Sequence, residues 1–189
     1  MKILKIIGIV VVAILVVATI LISLQPSNGK IEKTIVINAP ASKVYRELNG
    51  FKTMSLWSPF VKMDTGAIYK SEGPETGVGA KVLWDGAKVG KGSQWIVESI
   101  ENQKVRCELA FEGYDGKAYA DFILVPEGNT TKVTWTYDGT NEGLSGKAMW
   151  LIAKGQISKL YSQGLEDLKI YIEGLPDAPE EQAIEKIPL

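Results

Sequence analysis

Four carboxylates in the strand-rich middle of this chain could do chemistry: Glu98, Glu108, Glu112 and Asp121. A carboxyl group enclosed by apolar side chains has its pKa raised, and can then give or take a proton near neutrality. Glu108 and Asp121 alternate with apolar residues, so they are expected on a solvent face. Glu98 is the acid–base candidate least easily dismissed, because a β-bulge can re-aim a strand carboxylate. No partner residue for it is evident. The chain contains no histidine. That removes histidine triads, histidine-ligated metals and an imidazole switch, and no metal or cofactor is expected. The single cysteine, Cys107, lies on an apolar strand face and reads as a buried, inert thiol; one cysteine makes no internal disulfide.

Two other motifs carry less. "GVGAKVLWDGAKVGKG", residues 77–92, is rich in glycine but lacks Gly-Lys-Ser/Thr and a strand–loop–helix setting. Its glycines are expected in hairpin turns and a bulge. Asn129-Thr130-Thr131 matches a glycosylation sequon, set aside because the chain reads as bacterial in style. The net charge is −1 and no Lys/Arg cluster exceeds a pair, so nucleic acid has no electrostatic footprint. With 46% hydrophobic and 23% charged residues, the composition suits a packed domain.

The elements that must position these residues follow an uncharged run, Ile6 to Leu24. A run of about 20 apolar residues spans a hydrocarbon core of about 30 Å. Lys2 and Lys5 precede it, which places the N-terminus in the cytoplasm and the domain outside. The alternative is a cleaved signal peptide. That needs a shorter apolar region and a small-residue cleavage site, and "TILISLQPS" offers no good one. The reading is therefore a single-pass anchor over residues 1–25, a linker over 26–32, a domain over 33–174 and a loose tail over 175–189.

Within the domain, Lys33–Asn38 reads as a strand. A helix follows from Ser42 as N-cap to Asn49-Gly50, then a second short helix over about Phe51–Trp57, stopped by Pro59. Strands alternating with period two are expected at 79–86, 93–100, 104–111, 118–125 and 131–138, joined by tight turns into an antiparallel meander. Val105, Cys107, Leu109 and Phe111 share one face; Lys104, Arg106 and Glu108 share the other. A helix over Lys154–Glu173 carries an apolar stripe from Ile157 to Ile172. The fold class is α+β: a curved antiparallel sheet wrapped on the long C-terminal helix, with two short helices after the first strand and an N-terminal transmembrane helix.

"INAPASKVYREL", "WSPF", "GVGAKVLWDG" and "GKGSQWIVESI" together resemble the polyketide cyclase/dehydrase branch of the START/Bet v 1-like (SRPBCC) superfamily over about Lys33–Gly174. The resemblance implies a helix-grip fold enclosing an apolar cavity. Members carry lipids, sterols, polyketides, hormones or quinones, and a minority catalyse cyclisation or hydration. In such a fold Leu56, Trp57 and Phe60 would plug one end of the groove, with Pro59 turning the chain into the next loop. Trp57, Phe60, Trp84, Trp95, Leu109, Phe122, Trp135 and Tyr137 are the expected cavity lining; the alternative is that they are ordinary core. The expected partners are a hydrophobic small molecule or lipid, and the membrane through residues 6–24. A cyclase- or dehydratase-like enzyme on the same cavity and a protein-interaction module without ligand are the competing functions.

Overall fold

The computed structural model describes residues 2–176. Helix α1, Lys2–Ser23, is long and apolar enough to cross a membrane; it contacts the long C-terminal helix, but none of its membrane-length stretch is buried. After Pro26 the chain enters strand β1, Asn28–Ile37. The strand therefore begins inside the stretch read as a linker, because Asn28 to Glu32 pair with Thr140 to Thr136. Beyond Pro176, the expected tail lies outside the described residues.

Three short helices follow: α2 (Ala41–Leu48), α3 (Met54–Trp57) and α4 (Pro59–Met63). Pro40, not Ser42, occupies the N-cap of α2, and no side chain caps it. Pro59 ends one helix and starts the next instead of leading into a loop. Ser58 takes the extended conformation demanded before proline, and Pro59 then sits where a helix needs no N–H.

The strands β2 (Ile68–Glu72), β3 (Lys81–Gly86), β4 (Gly90–Ile100), β5 (Lys104–Phe111), β6 (Tyr114–Glu127) and β7 (Thr130–Thr140) come next. They form one seven-stranded antiparallel sheet in the order β1-β7-β6-β5-β4-β3-β2. Hairpins make every neighbour except β1, which joins β7 and so brings the chain's first strand beside its last. Helix α5, Gly143–Gly174, packs chiefly on β1, with further contacts to α4 and α3. It begins about three turns earlier than its apolar stripe suggests. This is the helix-grip arrangement expected from the sequence.

The core lies between α5 and the concave face of β5, β6 and β7. Ile37, Val44, Ile96, Val105, Val133, Leu165, Leu168 and Ile172 are among its buried residues. Gly164 lets α5 come close: a Cβ there would stand 2.7 Å from the Trp135 ring and 2.8 Å from Pro59 Cδ. Alanine at a helix interior ordinarily gains up to about 1 kcal/mol over glycine. Here overpacking, which costs about 1–3 kcal/mol, opposes that gain. Gly164→Ala is therefore expected to lower the urea midpoint of the full chain in detergent micelles, and an increase would contradict this packing.

One end of the sheet is tied shut. Thr131 Oγ1 donates to Ala39 O at 2.7 Å, Ser99 Oγ to Asn49 Oδ1 at 2.6 Å, and Lys43 Nζ to Leu175 O at 2.7 Å. The opposite end carries the exit of α1, the start of α5 and the β3–β4 hairpin. There the Asp64 carboxylate accepts from the Lys88 N–H at 2.6 Å and the Val89 N–H at 3.2 Å, which fastens the hairpin to the loop after α4. The Lys88 N–H does most to hold the Asp64 carboxyl below its usual range.

Candidate ligand groove

Alternation sorts the side chains of each strand onto two faces. On β7 the concave set is Val133, Trp135 and Tyr137. Register carries that face across to Phe122 and Ala120 on β6, then Val105, Cys107 and Leu109 on β5, Gln94 and Ile96 on β4, Trp84 on β3 and Tyr69 on β2. These residues meet two different environments.

Under the second half of α5 the concave side is filled by rings. Trp135 stacks on Tyr161 at 4.0 Å between centroids and on Phe122 at 4.9 Å. Trp57 meets Phe122 and Trp135 edge-on, both at 5.9 Å, and Phe60 meets Trp135 and Tyr161. Such pairs add about 0.5–1.5 kcal/mol each beyond their buried area. The stretch "LWSPF", residues 56–60, thus sends Trp57 and Phe60 into this block, while Leu56 stays exposed. Rings from the sheet and from α3, α4 and α5 together take up this half of the concavity, against the expectation of a cavity there. Trp57 Nε1 and Trp135 Nε1 are buried with no hydrogen-bond partner among the described residues. A buried N–H without an acceptor costs about 1–3 kcal/mol.

The other half is only partly covered, and its side chains keep some exposure. At the end of the sheet nearest α1, aromatic side chains form an arc across the concave face. Trp150 of α5 stacks on Tyr137 at 5.6 Å, Tyr114 lies beside Tyr137 and meets Phe111 at 6.2 Å, and Phe111 meets Trp84 at 5.8 Å. The Tyr114 hydroxyl donates to Thr140 O. All five rings are half-buried, as are Tyr69, Gln94 and Leu109 between them. Helix α3 reaches over from one side, where Gln94 Nε2 donates to Met54 Sδ at 3.2 Å. Several of these rings lie flat over glycines. A Cβ on Gly29 would strike the Trp150 ring at 2.6 Å, and one on Gly92 would collide with Trp84. Gly116 and Gly139 make the same room for Tyr114 and Tyr137. Gly92 therefore serves a ring across the hairpin rather than the turn itself. The sequence reasoning missed Tyr114, Phe111 and Trp150 as members of this surface. The pairing Trp84↔Gly92 across a tight hairpin was the signal that could have found it.

Two expected site residues stand elsewhere. Trp95 projects from the convex face, between Lys81 and Glu108, with the Lys81 ammonium 5.7 Å from its ring. Glu98 is also on the convex face. A bulge between Ile96 and Glu98 shifts the register, so that Glu98 pairs with Arg106. Had β4 alternated without it, Glu98 would have followed Ile96 inward. Lys104 Nζ sits 2.7 Å from Glu98 Oε2, and that hydrogen bond holds the carboxyl below its usual range, the opposite of an enclosed acid. Beside it, Arg106 lies 3.5 Å from Asp121 and packs over the Tyr119 ring at 4.4 Å. Burial nonetheless raises the Asp121 pKa against the pull of Arg106. This row of charges belongs to the outer surface and cannot reach anything held in the groove.

Inside, the titratable groups are phenols and one thiol. Burial pushes Tyr137 up to about 12, with the neighbouring Tyr114 adding to the rise. Burial also pushes Cys107 up to about 12, aided by the charge of Asp121. At pH 8 only about one such thiol in ten thousand is ionised. Cys107 is expected to resist a water-soluble disulfide reagent in the native chain and to react fully in denaturant; rapid native modification would contradict its burial.

Residues 28–173 match the model of a family described as polyketide cyclase/dehydrase and lipid transport. The chain belongs to that family. Membership brings the SRPBCC-type fold and its potential to bind hydrophobic ligands. Solved structures share the fold at low identity. A protein from Chromobacterium violaceum aligns over 79% of this chain and 99% of its own, with 19% identity and a TM-score of 0.57. The di-domain ARO/CYC StfQ of the steffimycin biosynthetic pathway aligns over 77% and 51%, with 11% identity and a TM-score of 0.58. The Aha1 dimer from Colwellia psychrerythraea aligns over 77% and 96%, with 20% identity and a TM-score of 0.56. No curated protein matches the chain.

Proposed function

We propose that this family member is a membrane-anchored binder that holds an apolar small molecule or lipid in the open half of its concave face, without transforming it. The observation that carries the reading is the aromatic arc from Trp150 to Trp84. It is half-buried, apolar, bordered by few polar groups, and placed at the sheet end where α1 joins β1. Ligand sites are commonly apolar and aromatic with a few convergent polar groups. An apolar ligand partitions into a bilayer, and an anchor running through residues 6–24 keeps the groove beside that reservoir.

A cyclase- or dehydratase-like reaction in the same groove would draw on the phenols of Tyr69, Tyr114 and Tyr137 and on the Asp64 carboxylate, whose charge acts on Tyr69. Glu98, Glu108 and Asp121 stand on the other face of the sheet. The test is to purify the full chain from its host membrane in mild detergent, extract it with organic solvent and weigh what is released. About one equivalent of a defined apolar molecule per chain supports the binder. A chain that carries only the bulk lipid mixture in variable amounts counts against it, and leaves the interaction module as the better reading.

A further inference from the structure

Helix α5 changes character along its length. Its inward face is continuous: Trp150, Ala153, Ile157, Tyr161, Gly164, Leu168 and Ile172 recur at helical spacing. The outward face is not. From Lys159 onward it carries Ser162, Gln163 and Glu166, with Ile170 its one large exposed apolar residue, at 71%. Over the first turns it carries no charge. At about 100° per residue, Leu144, Ala148, Ile152 and Gly155 point away from the sheet, with Met149 and Leu151 on either side. Leu144 is 45% exposed, Met149 69%, Leu151 42% and Ile152 80%. Lys147 and Lys154 lie at the borders of this strip.

The strip has a fixed neighbour. α1 packs against α5, and Lys147 Nζ donates to Ser23 O, the last residue of α1, at 2.8 Å. If α1 spans the bilayer, Ser23 marks the level of the interface. The first turns of α5 then lie at that level too. Apolar side chains on one face, lysines that can reach the headgroups and a tryptophan beside them are the composition of a helix lying in an interface.

We propose that the first turns of α5, with Leu144, Met149 and Ile152 outermost, rest in the headgroup–acyl boundary of the membrane crossed by α1. This rests on reading α1 as a membrane span. It also sets the domain's pose: the mouth of the groove, ringed by Trp150 and Tyr137, opens at the membrane surface rather than into bulk water.

Single cysteines at Ile152, Gln163 and Val12 (Ile152→Cys, Gln163→Cys, Val12→Cys), each carrying a nitroxide, test this in the full chain. Cys107 is buried and stays unlabelled. The chain is reconstituted in vesicles of phosphatidylcholine and phosphatidylglycerol, and relaxation by oxygen is compared with relaxation by a water-soluble nickel chelate. The expected result is that oxygen outweighs nickel several-fold at 152, as at 12, while nickel dominates at 163. Met149→Cys, one turn along, should repeat the result at 152. A label at 152 that nickel reaches as readily as at 163 overturns the proposal, and a label shielded from both reagents, as by a second copy of the chain, overturns it equally. Val12 separates the failures. Lipid exposure at 12 with water at 152 leaves the anchor standing and removes the surface contact, whereas water at both positions removes the anchor and with it the proposal.

Discussion

Replacing Trp135 by alanine is expected to destabilise the domain by about 3–5 kcal/mol, the range for removing a buried aromatic. The ring is stacked on Tyr161 and Phe122 and touched edge-on by Trp57 and Phe60, so its loss opens a space that four rigid rings cannot close. Domains of this kind hold together by about 5–15 kcal/mol in total. A large share of the stability is then at stake, and urea unfolding of the full chain in micelles should show the midpoint falling steeply. Trp135→Phe is the informative companion. It keeps a stacked ring and removes an indole N–H that has no acceptor. Its loss should be much smaller than alanine's. Equal losses would mean that the N–H has a partner and that the stacking matters little.

Leu109→Glu should act on binding and leave stability nearly alone. Leu109 is half-buried in the open groove, between Gln94 and Ala118 on the neighbouring strands. A carboxylate there stays hydrated while the groove is empty, but an apolar ligand would bury it against hydrocarbon, which an unpaired charge resists strongly. The affinity for the apolar molecule should drop at least about tenfold, equivalent to about 1.4 kcal/mol, and less of it should be recovered per chain. Glu108→Gln, one residue away on the convex face, is the control and should change nothing. Equal effects at 108 and 109 would place the ligand outside the groove.

Much of this arrangement could be read from the chain alone, and the failures have physical causes. The alternation in "KVRCELAF" and "TKVTWTYD" placed Cys107, Leu109, Trp135 and Tyr137 on the inner face, because a regular strand has a period of two. β4 broke the rule. Its bulge sits between Ile96 and Glu98, and nothing local in "SQWIVESI" says where the extra residue falls. Trp95 and Glu98 therefore ended on the convex face together. The strand Ile68–Glu72 went unforeseen because it is a short, mostly exposed edge strand with no apolar alternation to announce it. The first turns of α5 were lost for another reason. Gly143, Gly146 and Gly155 weaken the helical signal, and an outward face as apolar as the inward one has no amphipathic period to detect. The aromatic arc was hidden because it is assembled by register. Trp84 over Gly92 could be read from one tight hairpin, but Trp150 of α5 over Gly29 of β1 joins residues far apart in the chain, and that contact exists only once the domain is folded.

On the proposed reading, the groove bordered by Met54, Trp84, Leu109 and Phe111 holds an acyl chain or a similar apolar body. The most direct test is a lipid carrying a photoactivatable diazirine in its tail, added to the full chain in vesicles, irradiated, and followed by mapping of the labelled peptides. Adducts are expected on the peptides bearing Trp84 and Leu109 to Phe111, in addition to those on α1, and should be lost in Leu109→Glu. Adducts confined to α1 and the start of α5, with residues 84–111 clean, would contradict it.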